Sequence, residues 1–276
     1  AQKTNLETAL APYKVASITP VVVDAETTSI ILGITIMYDS TSTTYTASDL
    51  QSLVSTTVSN YNSSDLQTFG TPFRHSKLLG LIDNTDTSIL NSVATVTLAK
   101  LFTPTISTLT DYRLNFNNRF YNPVSGYNAT AGGIIASTGF FLNSITTTTY
   151  FFDDDGSGNL RIYYLVSGVR TYYNNTAGTV DYENGLVTIN SITITGVADV
   201  DGANSSQIRI TTLPNSNDIT PVRNQILEID LTNTTYDGSV DATASTGVGY
   251  VTTTTAAGTT TTTVSSVSST PSSSAY

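Results

Sequence analysis

The sequence predicts an α+β fold, mainly β, from three observations: a surface chemistry of Thr, Ser, Asn and Tyr in place of charge, one confined stretch of helical periodicity, and a long succession of short strands between turn signals. Charged residues make up 12% of the chain, about half of the ~25% in ordinary soluble domains, while 39% are hydrophobic. Thr, Tyr, Val and Ile suit a pleated, half-buried face. The same depletion of charge suits the cores of protein interfaces. With 276 residues the chain has room for about two domains of ~150 residues each.

Residues 1–13 are expected to link to a missing N-terminal part, because the chain begins at Ala1, carries no signal-peptide pattern and has Met37 as its single methionine. A β-β-α-α-β module is predicted over 14–100. Two β-rich runs, Val15 to Val23 and Ser29 to Tyr38, flank the polar Asp24-Ala25-Glu26-Thr27 and read as a hairpin. Leu50, Leu53, Val54, Val58 and Tyr61 then recur at helical spacing, and Ser48 followed by Gln51 has the form of a capping box, so 48–61 is an amphipathic helix. A second helix is expected from Thr71 as N-cap and Pro72 as first helical residue, through Leu78, Leu79 and Ile82, ending at Asn84-Thr85-Asp86. Ala94, Val96 and Leu98 alternate with Val93, Thr95 and Thr97 in a strand. The helices should cover one face of a small sheet.

From a boundary near Lys100, an antiparallel β-rich domain is predicted over 101–240. Its strands are expected at Tyr112-Leu114-Phe116, Leu160 to Val166, Leu186 to Thr195, Gln207 to Leu213 and Gln225 to Leu231. Such spacing suggests a sandwich or barrel. Asn184-Gly185 is the strongest hairpin signal, expected as a two-residue type I′ turn. Residues 241–276 form a Thr/Ser-rich tail with no charged residue from Ala242 onward. Such a tract alone cannot offset the roughly 1–2 kcal/mol per residue of backbone ordering. It orders only when held, by this chain's own sheet or, as favoured here, by a neighbouring subunit whose strand edge it extends.

The residue inventory excludes much chemistry. A net charge of -10, with eleven scattered basic residues, argues against nucleic acid and against anionic membrane. No run approaches the ~18–20 apolar residues of a membrane-spanning helix; the longest, around Ile30 to Met37, is broken by Gly33 and Thr35. The chain contains no cysteine, which removes disulfides and thiolate metal sites. His75 is the single histidine, so a Ser-His-Asp triad could be built only around it; with no nucleophile elbow nearby it reads as a helical surface or interface residue. Zinc sites lack ligands.

Asp153-Asp154-Asp155-Gly156-Ser157-Gly158-Asn159 resembles the front of a calcium loop, with Asp153, Asp155 and Ser157 at ligand positions. Position twelve is Tyr164 rather than a bidentate Glu, and the flanks are strands. An acidic hairpin turn between Tyr150-Phe151-Phe152 and Leu160-Arg161-Ile162 is the better reading, with weak calcium or magnesium binding as the alternative. Gly132-Gly133 and Asp199 to Gly202 are turn material without the Lys and helix N-terminus of a phosphate cradle. Scattered turn carboxylates and the absence of Trp disfavour a glycosidase. Asn-x-Ser/Thr matches at Asn62, Asn128, Asn174, Asn204 and Asn233 follow from composition alone. No catalytic, cofactor-binding or metal residue is assigned, and no cofactor is expected.

Several stretches resemble a known family: Thr71-Pro72-Phe73-Arg74-His75-Ser76-Lys77-Leu78-Leu79-Gly80, Asn115-Phe116-Asn117-Asn118 leading to Tyr121-Asn122-Pro123, Gly178-Thr179-Val180-Asp181-Tyr182 and Pro221-Val222-Arg223-Asn224-Gln225-Ile226-Leu227. They are similar to the inner-ring baseplate wedge subunit of contractile-tailed bacteriophages, above all those infecting cyanobacteria, and 14–100 resembles the α/β module of the baseplate J-like group. The resemblance spans about 14–232. It implies the C-terminal portion of a longer, non-enzymatic virion protein of the tail baseplate, assembled in the host cytoplasm. It also implies a second copy as partner in a homodimer and ring, contacts with other wedge subunits, sheath initiator and central hub proteins, and a part in sheath-contraction signalling. A β-rich tail-fibre or adhesin-type receptor-binding domain is the alternative. It accounts for the Tyr, Asn and Thr content but not for the helix pair before Ile82.

Overall fold

A computed structural model describes residues 8–10, 12, 26–124, 133–198, 205–222, 224–241, 251–256 and 259–264. The class is α+β, mainly β. Strand β1 (Glu26–Tyr38) pairs antiparallel with β2 (Ile89–Phe102), and between them the chain forms α1 (Ala47–Tyr61), a π-helical turn (Asn62–Leu66) and α2 (His75–Asp83). The expected strand at 15–23 lies outside the described residues, as do Gly132 and Asp199 to Gly202 of the proposed turns.

Alternation decides which face of β1 is covered. Ile30, Leu32, Ile34 and Ile36 all point to one side and are almost fully buried, against Leu50, Val54, Val58, Leu78 and Ile82 of the helices. Burying each such side chain contributes roughly 1.5–3 kcal/mol. Leu53, expected on the apolar stripe of α1, instead faces solvent. On β2, Ala94, Val96 and Leu98 are buried and Val93 and Thr95 exposed, in the predicted phase.

Both helix starts differ from the sequence reading. The capping box of α1 is Thr46 with Asp49, not Ser48 with Gln51. Thr46 Oγ1 accepts from Asp49 N–H, and Asp49 Oδ2 accepts from Thr46 N–H at 2.9 Å. Two hydrogen bonds close that box, and an acid in the first turn also suits the helix dipole. Helix α2 starts at His75 rather than Pro72. Phe73 is held extended by a reciprocal bridge to Ile219, with N···O distances of 2.9 and 3.1 Å, and Asp218 caps the helix by accepting from His75 N–H at 2.9 Å. A local N-cap at Thr71 cannot coexist with an extended Phe73.

Beyond β2 come β3 (Leu109–Asn115), β4 (Ala136–Ser137), β5 (Phe140–Leu142), β6 (Ile145–Asp154), β7 (Asn159–Val166), β8 (Val169–Asp181), β9 (Leu186–Val197), β10 (Ile208–Thr212), β11 (Gln225–Ile229) and β12 (Thr235–Val240). Segment 101–240 supplies strands to two sheets. The first runs β11-β1-β2-β10-β4, with β12 continuing alongside β1, both β11 and β12 being parallel to it. The second runs β3-β9-β5-β6-β7-β8, and β8 also pairs with β9, closing a barrel. One hydrophobic cluster extends through both, with Phe140 stacked on Phe152 at 4.5 Å inside the barrel.

The hairpin at Asn184-Gly185 exists, but Asp181 pairs with Leu186, so four residues connect the strands and Gly185 alone of the expected pair has positive φ, +63°. Asn184 is held instead by Asp181, whose carboxylate accepts from its N–H and Nδ2 at 3.0 and 2.7 Å. In the Thr-rich tract, β13 (Val251–Ala256) and β14 (Thr259–Val264) pair antiparallel with each other as a separate two-stranded sheet.

Candidate interaction surface

Two side chains occupy edges of the first sheet that no other described strand pairs with. His75 Nε2 lies 2.9 Å from the carbonyl of Ala94, on the stretch of β2 that β10 does not reach. Asn62, placed by the π-helical turn, imitates a neighbouring strand against β11. Its Oδ1 accepts from Ile229 N–H at 2.7 Å and its Nδ2 donates to Ile229 O at 3.3 Å. Unpaired strand edges recruit other strands, and occupying their polar groups prevents that. The single histidine thus joins α2 to β2, a task for which nothing local in the sequence gives a sign.

The acidic turn is built inward. All six carboxylate oxygens of Asp153, Asp154 and Asp155 accept from protein donors. Asp154, with no exposed surface, takes Ile134 and Ile135 N–H on Oδ1 at 2.7 and 2.8 Å, and Gly156 N–H and the Tyr182 hydroxyl on Oδ2 at 3.3 and 2.6 Å. Burial and the Asp154 carboxylate together push the Tyr182 phenol well above its ordinary value. Gly133 lets the chain come this close; at φ +79° a Cβ there would sit 1.8 Å from Asp154 Oδ1. Asp155 accepts from Ser157 N–H, Asn159 N–H and Asn159 Nδ2. Tyr164 packs edge-on against Tyr150 at 5.7 Å. Among the described residues, no three His, Cys, Asp or Glu side chains gather as a metal set.

Asp153 faces the outside of the barrel yet is 1% exposed. It accepts from Arg161 Nε and Nη2 at 3.0 and 3.2 Å, from Arg170 Nη1 at 2.9 Å and from the Tyr172 hydroxyl at 3.0 Å. Arg161 stacks over the Tyr172 ring at 4.2 Å and Arg170 over Tyr163 at 4.7 Å. Burial raises the Asp153 carboxyl, and the two guanidiniums partly offset that rise. This lattice anchors a hairpin arm. Strand β6 pairs with β7 only through Tyr150, while β7 and β8 continue together to Val166↔Val169. At the tip, Ser167 and Gly168 have φ of +52° and +81°, the signature of a type I′ turn. Leu165 and Val166 are each 50% exposed and Val169 is 67% exposed. A stiff two-residue turn thus presents aliphatic side chains beside Tyr and Arg, the residue types enriched at interface hot spots. Strand β7 is legible in the sequence whereas the arm is not, its one local sign being the Ser-Gly dipeptide between two β-rich runs.

Among the described residues no helix is long and apolar enough to cross a membrane. Residues 26–101, from β1 through most of β2, match the family model described as "Baseplate structural protein gp6, C-terminal domain III". Comparison with curated proteins gave no match. The matched segment includes both helices, His75 on the β2 edge and the Asn62 clamp, so the similarity falls on the sheet-and-helix unit. On that unit the chain is a structural protein of the bacteriophage tail baseplate, located in the virion.

Proposed function

We propose that the chain is a wedge subunit of the baseplate J-like group, non-catalytic, which pairs with a second copy to form the inner ring around the tail hub. In this reading it also contacts other wedge subunits, the sheath initiator and the central hub, and takes part in tail assembly and in signalling sheath contraction. The observation that carries the reading is the match of residues 26–101 to a baseplate structural domain. The charge-poor composition and the apolar arm agree with a protein buried among neighbours. Obligate interfaces of this kind bury on the order of 2,000 Å² or more.

Imaging of the intact tail tests this. A reconstruction should place the fold in a ring around the hub, each copy contacting its neighbours over more than ~1,000 Å² in total. Location at a fibre tip, or saturable binding of the isolated chain on a glycan array, would replace this reading with that of a receptor-binding module.

A further inference from the structure

The arm has a counterpart on the same chain. Residues 159–178 hold Arg161 and Arg170 but no Lys, Asp or Glu. The buried Asp153 bonds both guanidiniums and Asp155 also acts on Arg161, which leaves Arg170, 40% exposed, as the charge the arm shows to solvent, on a chain of net charge -10. At the far end of the first sheet, where Tyr38 meets Ile89 and Val240, the balance is reversed. Asp39, whose N–H donates to the Ser88 carbonyl, Asp86, whose carboxylate accepts from Ser88, and Asp241, whose N–H donates to the Tyr38 carbonyl, lie at that end, and the chain has no Lys or Arg between Lys14 and Arg74, between Lys77 and Lys100, or after Arg223. The same end exposes apolar side chains. Met37 is 38%, Tyr45 48%, Leu90 47% and Val240 46% exposed. One surface is therefore an aliphatic tip beside guanidiniums, and the other an apolar patch rimmed by carboxylates.

We propose that the arm of one copy docks on the acidic, apolar sheet end of the next copy, a head-to-tail contact. Matching apolar groups exclude water while opposite rim charges fix register and suppress wrong pairings. A contact between two different patches leaves each copy with one free arm and one free sheet end, so it propagates, closing into a ring where the rotation permits. Two copies meeting arm to arm would instead bring positive faces together. The proposal rests on the ring reading only for the presence of a neighbouring copy.

Sedimentation velocity of the full chain tests it, with folding checked by circular dichroism. The wild type associates with rising concentration, less so at high salt, since the rim charges are screened within about 10 Å at 0.1 M. Val169→Glu on the arm and Leu90→Glu on the sheet end each weaken association about tenfold or more, the loss typical of a central interface residue. An equimolar mixture of the two variants regains a dimer, because one retains its sheet end and the other its arm. Val166→Asn and Val240→Asn, milder exposed changes, give the same pattern should either glutamate variant unfold. Single variants that associate like the wild type, or a mixture that does not recover, overturn the contact while the ring reading stands. A wild type monomeric up to roughly 100 μM also overturns it and leaves the ring to particle imaging.

Discussion

Removing the carboxylate of Asp153 tests whether the arm is held from its base. Asp153→Ala leaves Arg161, whose side chain is only 12% exposed, as a buried cation without its counter-ion. Breaking a buried ion pair from one side costs about 3–5 kcal/mol. Arg170, 40% exposed, is screened by solvent and adds at most about 1 kcal/mol. Arg161 keeps a hydrogen bond to the Asp154 carbonyl at 2.7 Å and its stack on Tyr172, so the lower end of the range applies, about 3 kcal/mol. For a chain of this size the melting temperature falls by roughly 6–12 °C. Burial raises the Asp153 carboxyl in the folded state, so its contribution is complete below the unfolded pKa of about 3.9 and declines as pH rises through the folded value. The ionised lattice is thus no more stabilising than apolar packing. Asp153→Leu with Arg161→Met should recover most of the loss at pH 7. Denaturant melts of the three proteins decide. A loss below about 1 kcal/mol for Asp153→Ala, or a double variant no more stable than the single, refutes the reasoning.

Two further outcomes follow from close approaches and a remote cap. A Cβ on Gly178 would meet the Thr188 carbonyl oxygen at 2.0 Å, and one on Gly185, at φ +63°, the Asn118 carbonyl at 1.9 Å; Gly178→Ala and Gly185→Ala should each cost about 3 kcal/mol or more in denaturant melts, because backbone cannot step aside as a side chain can. Asp218→Ala should cost about 1 kcal/mol for a lost helix cap. The bonds from His75 N–H and then from Arg74 hold the Asp218 carboxyl below its usual range, so its contribution is present above about pH 3.9 and lost as pH falls through the folded value. Asp218→Asn, which still accepts a hydrogen bond, should flatten that acid limb of the stability curve.

How much was legible follows from how far each determinant reaches along the chain. The phase of β2 and the helical stripe of Leu50, Val54, Val58 and Tyr61, though not Leu53 on its margin, are legible because burial on a two-residue or 3.6-residue period is written locally. Cap positions are not. Thr46 outcompeted Ser48 for α1, and the cap of α2 arrives from Asp218, 143 residues away. The hairpin at Gly185 was visible, whereas its length depended on Asp181 gripping Asn184.

The candidate interaction surface divides in the same way. Its ingredients were visible in the sequence: few charges, a Tyr-rich run with two Arg, and segments carrying Asp but no base. Their assembly was not, since Asp153, Arg161, Arg170 and Tyr172 meet only because three strands align in register, and Asn62 finds Ile229 across 167 residues. By itself the sequence determined the class of fold and a surface poor in charge, because composition and short-range period set those. Only the tertiary structure decided that segment 101–240 serves two sheets, that His75 and Asn62 occupy strand edges, and that the acidic turn roots an apolar arm, because each depends on hydrogen bonds between residues distant in the chain.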